Sequence, residues 1–80
     1  MYFVYAIRSY DYPKKIYVGY TTDLKQRLKK HDSGGSIYTA KFRPWKLILS
    51  MEFETLIKAK EFEQYLKTPS GKAFASKRLW

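Results

Sequence analysis

Apolar and polar positions along the chain fall into six blocks. Tyr2-Phe3-Val4-Tyr5-Ala6-Ile7 is β-branched and aromatic throughout, which predicts a strand buried on both faces and therefore central in its sheet. Ser9-Tyr10-Asp11-Tyr12-Pro13-Lys14 puts Asp and Pro in turn positions, and the β-rich run Ile16-Tyr17-Val18-Gly19-Tyr20 follows at once, so the two runs form a hairpin. A turn centred near Asp11 sets Tyr5 opposite Tyr17, on one sheet face. Thr21-Thr22-Asp23 supplies N-cap chemistry for a helix from Leu24 to Lys30, closed at Ser33-Gly34-Gly35-Ser36 where glycine admits the left-handed backbone. Ile37 to Pro44 shows no period and reads as a loop. Trp45 to Phe53 alternates, with Trp45, Leu47, Leu49, Met51 and Phe53 on one face of a third strand. Thr55 caps a second helix that runs through Leu56, Ala59, Phe62 and Leu66 to a stop at Thr68-Pro69-Ser70-Gly71, and a short basic helix follows from Lys72 to Leu79. The order ββαβαα predicts an α+β fold, a three-stranded antiparallel sheet with helices packed on it.

With 80 residues there is room for one domain, taken as residues 1–80, and one core. A 45% apolar content excludes a disordered basic tail. The charge then narrows the partners: 16 Lys plus Arg against 7 Asp plus Glu leave +9, which points to a polyanion, nucleic acid ahead of an anionic membrane surface. No apolar run approaches the roughly 20 residues that span a bilayer, so no membrane association is expected. The absence of Cys removes thiolate metal sites and thiol nucleophiles, and suits a reducing cytoplasmic location; the lone His excludes a multi-histidine metal site.

Polar groups on faces that packing reserves for apolar ones are the informative residues. On the first helix the inward stripe runs through Leu24 and Leu28, with His31 between them and Arg27 beside it, one turn from His31. Arg27 can snorkel past the leucines while His31 frays at the helix end. Equally, the two can form a phosphate-binding guanidinium beside an imidazole that moves protons near neutral pH. On the second helix Glu63 falls inside the arc of Leu56, Ala59, Phe62 and Leu66, which is costly for a carboxylate unless it pairs with Arg27 or a lysine, or holds a divalent cation. Of the eight tyrosines, Tyr5 and Tyr17 share a face near the start of the Arg27 helix, and Tyr38-Thr39 leads back towards it. Lys29, Lys30, Lys41, Arg43, Lys67 and Lys72, with Tyr38 among them, have the composition of a groove that follows phosphates and stacks bases.

Phe3-Val4-Tyr5, Tyr17-Val18-Gly19, Arg27-Leu28-Lys29-Lys30-His31, Tyr38-Thr39 and Glu63-Gln64-Tyr65-Leu66-Lys67, in that order over residues 2 to 79, resemble the GIY-YIG nuclease superfamily. The likeness is greatest to its small stand-alone bacterial proteins related to the N-terminal domain of the excinuclease C subunit. The resemblance implies a three-stranded sheet flanked by helices and a metal-dependent DNA endonuclease using Mg²⁺ or Mn²⁺, weak or structure-selective, linked to DNA repair or to a protein partner that supplies substrate. It implies that Tyr5, Tyr17, Arg27, His31 and Glu63 are catalytic: a tyrosine activates water, Arg27 neutralises transition-state charge, His31 assists proton transfer and Glu63 ligates the metal. RNA remains compatible as substrate. A non-catalytic nucleic-acid-binding module on the same fold is the alternative. The chain departs from the pattern in Phe3 and Val4, in Val18, in having no Asn and in lacking an appended DNA-binding domain, so sequence-specific cleavage is not expected.

Overall fold

The computed structural model describes all residues, 1–80. Its elements are β1 (Tyr2–Ser9), β2 (Ile16–Thr21), α1 (Leu24–Asp32), α2 (Ile37–Ala40), β3 (Trp45–Phe53), α3 (Leu56–Leu66) and α4 (Pro69–Arg78). The sheet is antiparallel with order β2-β1-β3, so the apolar first run is indeed central. Its alternate residues point to two separate layers. Val4 and Ala6 pack with Val18, Ala59, Leu66 and Ala75 under α3 and α4, whereas Tyr5 and Ile7 pack with Trp45, Leu24 and Leu28 on the α1 side. A strand flanked on both faces must be apolar at every position, which is why β1 shows no alternation.

Four details depart from the sequence reading. Tyr5 pairs with Gly19 and Ile7 with Tyr17, so the hairpin is centred on Tyr12, one residue beyond Asp11. The slip is two residues, an even number, and Tyr5 and Tyr17 therefore keep a common face. Second, β3 does not present one apolar face. A bulge falls where Ala6 pairs with Leu49 but Ile7 with Leu47, leaving Ile48 extra and reversing the side-chain alternation. Leu49, Met51 and Phe53 consequently share the α3 side, while Leu47 and Trp45 face α1. Third, the expected loop contains the single helical turn α2, held because the Trp45 indole Nε1 donates to the Thr39 carbonyl at 2.8 Å. Fourth, the last helix starts at Pro69, ahead of the expected Lys72. Proline stops α3 but suits the first turn of α4, where its missing N–H is not needed, and Thr68 caps that turn by accepting from Gly71 N at 3.0 Å.

The other caps follow the sequence. Asp23 accepts from Gln26 N at 3.0 Å and Thr55 from Lys58 N at 3.2 Å. Gly34, at φ +82°, lies just beyond the α1 C-terminus in a conformation that L residues seldom adopt.

Candidate active site

The site is assembled where β1, β2, α1 and α3 meet. Tyr5 is fully buried, and its ring lies over Gly19: a Cβ there would sit 2.8 Å from the Tyr5 hydroxyl and 3.2 Å from the Tyr17 ring. Only glycine lets the phenol cross the neighbouring strand, which accounts for the Tyr-x-Gly pattern in β2. The Tyr5 hydroxyl meets His31 Nε2 at 2.7 Å. His31 is 2% exposed, so it is not a frayed helix end, and its Nδ1 lies 2.8 Å from Thr39 Oγ1. Tyr17 packs against this pair, its ring centroid 5.1 Å from that of His31 and 6.4 Å from that of Tyr5.

Burial, aided by the neighbouring Tyr17, pushes the Tyr5 pKa up to about 12, against an opposing pull from the Arg27 guanidinium. The Glu63 charge raises it further, which puts that carboxylate in electrostatic range of the same hydroxyl. Burial and the Arg27 charge push the His31 pKa below its ordinary value. Both partners of the Tyr5–His31 hydrogen bond are therefore neutral near pH 7. In the tautomer whose Nδ1–H donates to Thr39 Oγ1, Nε2 is free to accept the Tyr5 proton.

Glu63 is 9% exposed on α3 and accepts from the Lys67 ammonium, one turn on, at 2.7 Å. The pairing with a lysine, one of the two partners expected of it, is thus what the fold provides. No cluster of three or more His, Cys, Asp or Glu side chains exists in the molecule. A single buried carboxylate that already holds a cationic group is nonetheless a fitting donor for Mg²⁺, which takes one or two carboxylates and fills its other positions with water and phosphate oxygens.

The expected nucleic-acid residues do not form one track. Lys29 and Lys30 line a wholly polar groove with Arg27, Gln26 and Thr22, about 540 Å³ in volume. Tyr38, Lys67 and Lys72 line a different one with Tyr17. Lys41 is exposed beyond both grooves, and the guanidinium of the exposed Arg43 lies against Gly34.

Thr39 is the residue that pattern reading left without a role. A threonine in an aperiodic segment carries no local signal, because its partner His31 is supplied by another element. Thr39→Val, nearly isosteric, should lower any Tyr5-dependent turnover about tenfold and destabilise the fold by about 1–3 kcal/mol through an unsatisfied imidazole N–H. Thr39→Ser should restore both. Turnover and melting measurements on the pair check this, and a valine variant with unaltered turnover would remove Thr39 from the site.

A hairpin that presents two tyrosines across a glycine, with an Arg/His helix and a buried glutamate on another helix, fits the GIY-YIG catalytic domain. Residues 1–78 match the GIY-YIG catalytic domain family, and the chain belongs to it. Among its relatives, the UPF0213 protein YsiG of Lactococcus lactis is 42% identical over 67 residues, covering 82% of this chain and 62% of that protein. The structure-specific endonuclease subunit SLX1 of Debaryomyces hansenii is 39% identical over 75 residues, covering 85% of this chain but 22% of that one. The chain thus spans less than two thirds of both relatives. The solution NMR structure of UPF0213 protein BH0048 from Bacillus halodurans superimposes with a TM-score of 0.58 at 32% identity, over 99% of this chain and 87% of the other. The α+β fold and the family resemblance are as expected from sequence. No helix is long and apolar enough to cross a membrane.

Proposed function

We propose that this protein is a divalent-metal-dependent endonuclease that hydrolyses DNA phosphodiester bonds in the cytoplasm. The observation that carries this is the Tyr5 hydroxyl, 2.7 Å from an imidazole nitrogen and within the fields of both Arg27 and Glu63. Ionising a phenol of pKa about 12 at pH 7 would cost about 7 kcal/mol, so Tyr5 does not act as a standing phenolate. It acts as a relay. Tyr5 Oη takes a proton from the attacking water as its own proton passes to His31 Nε2, held in the accepting tautomer by Thr39. The water oxygen bonds to phosphorus as the opposite P–O3′ bond breaks, and the departing 3′-oxygen takes a proton from solvent water, leaving 5′-phosphate and 3′-hydroxyl ends. Arg27 offsets the charge that builds on the phosphoryl oxygens, and the ring of Tyr17 fixes the position of Tyr5 and His31. Glu63 would hold Mg²⁺ or Mn²⁺, which when bound supplies Lewis-acid stabilisation of that charge.

The net charge of +9 favours a nucleic-acid substrate. Relatives named as structure-specific endonuclease subunits favour selection of the substrate by its structure and a protein partner. A second reading, a binding module without turnover, draws on the Glu63–Lys67 ion pair, since that carboxylate is already neutralised. Incubating the purified protein with supercoiled, linear and branched DNA separates the two. Cleavage is expected with Mg²⁺ or Mn²⁺ and none with chelator; intact DNA in every case would leave only the binding module.

A further inference from the structure

Beside the Tyr5–His31 pair, between β2, α2 and the α3–α4 junction, lies a groove of about 620 Å³. It is lined by Tyr17, Tyr38 and Trp80 and by Lys14, Lys67 and Lys72, among apolar side chains. No Asp or Glu side chain lines it. The rings of Tyr17 and Tyr38 are 5.9 Å apart at 41°, and Tyr38 is 60% exposed on the single turn of α2. Lys67 joins the groove to the site, with its ammonium 2.7 Å from Glu63 and 5.9 Å from the Tyr17 ring centroid.

We propose that this groove binds an unpaired DNA strand, stacking a base on Tyr38 and drawing the strand's phosphates to Lys14 and Lys72. The ammonium groups of Lys14 and Lys72, which have no counter-charge, call for a polyanion, and flat apolar walls between them call for π faces. A duplex satisfies the first requirement but not the second, because its bases stack on one another and hide their faces. An unpaired strand satisfies both. Lys67 both lines the groove and pairs with Glu63, so a strand lying in it would place a phosphodiester near that carboxylate, next to its own unpaired segment. The inference deepens the nuclease reading and rests on it for its purpose, while the binding itself is measurable without turnover.

Anisotropy titrations of the whole chain in EDTA, with labelled oligothymidylate and with a blunt hairpin duplex, test it. Tyr38→Ala should weaken oligothymidylate binding about tenfold and duplex binding by less than about twofold, and Tyr38→Phe should restore the first. Lys72→Gln should lower the salt dependence on the single strand by about 0.7 in log–log slope. Equal losses on both substrates, or no loss on either, would overturn the proposal. Because no cleavage is measured, preserved discrimination in a protein that never cuts DNA would defeat the nuclease reading alone. Cleavage without Tyr38-dependent discrimination would defeat the groove alone.

Discussion

Tyr5→Phe is expected to reduce DNA cleavage by about a thousandfold or more while leaving DNA affinity, measured in chelator, within about twofold. The ring still fills its place over Gly19 and against His31, so packing is kept. The oxygen that exchanges protons between water and His31 Nε2 is gone. The variant also leaves a buried imidazole nitrogen without its partner, a cost of about 1–3 kcal/mol that a melting curve would register. Tyr17→Phe, whose ring packs but whose hydroxyl has no hydrogen bond to the pair, should lose less than about tenfold. A reversed order between the two variants would move the relay to Tyr17. The pH dependence has a determined sign. His31 accepts a proton only when neutral, so cleavage should rise with pH through the lowered imidazole range and then level off. Folding stability should fall on acidification over the same region, because the unfolded imidazole protonates first. At the alkaline end the unfolded phenol ionises near 10 and the folded one near 12, so stability should decline across that window by up to about 3 kcal/mol.

How much of this site was legible without coordinates depends on the range of the interactions involved. Caps, helix starts and the buried central strand are set by residues within one turn of each other, and Asp23, Thr55 and β1 all follow the local pattern. Facing relations across a hairpin need only parity, so Tyr5 and Tyr17 share a side even though their pairing is shifted by two residues. The bulge at Ile48 was not legible, since an alternating run looks the same whether or not a partner strand skips a residue. Yet that bulge turns Trp45 towards α1, where its indole anchors α2 and so places Thr39 on His31. The i, i+4 spacing of Glu63 and Lys67 was visible in sequence, but only the burial of Glu63 and the 2.7 Å contact make the lysine the resident cation at that carboxylate. The positive charges were easily counted and poorly assigned: Lys29 and Lys30 fall in one groove, Lys67 and Lys72 in another and Lys41 and Arg43 in neither, because α1 and the α3–α4 junction bound different sides of the site.

Glu63→Gln is the companion test, and it bears on the metal. The substitution keeps the volume and the oxygen but removes the charge, so the fold should persist, with Lys67 released to solvent where half its side chain already lies. Cleavage in Mg²⁺ should fall by about a thousandfold or more, the scale expected when charge stabilisation of a phosphoryl transition state is withdrawn. DNA affinity in chelator should stay within about twofold, because a carboxylate does not attract a polyanion. The decisive contrast is thermal. If Mg²⁺ binds the folded chain through Glu63, a concentration ten times its dissociation constant stabilises the parent by about 1.4 kcal/mol. In a domain of this length that raises the melting temperature by several degrees. The glutamine variant should show no such rise. A metal-induced shift equal in both proteins would place the cation elsewhere. Undiminished cleavage by the variant would leave Arg27 and the Tyr5–His31 pair to work without a metal at this carboxylate.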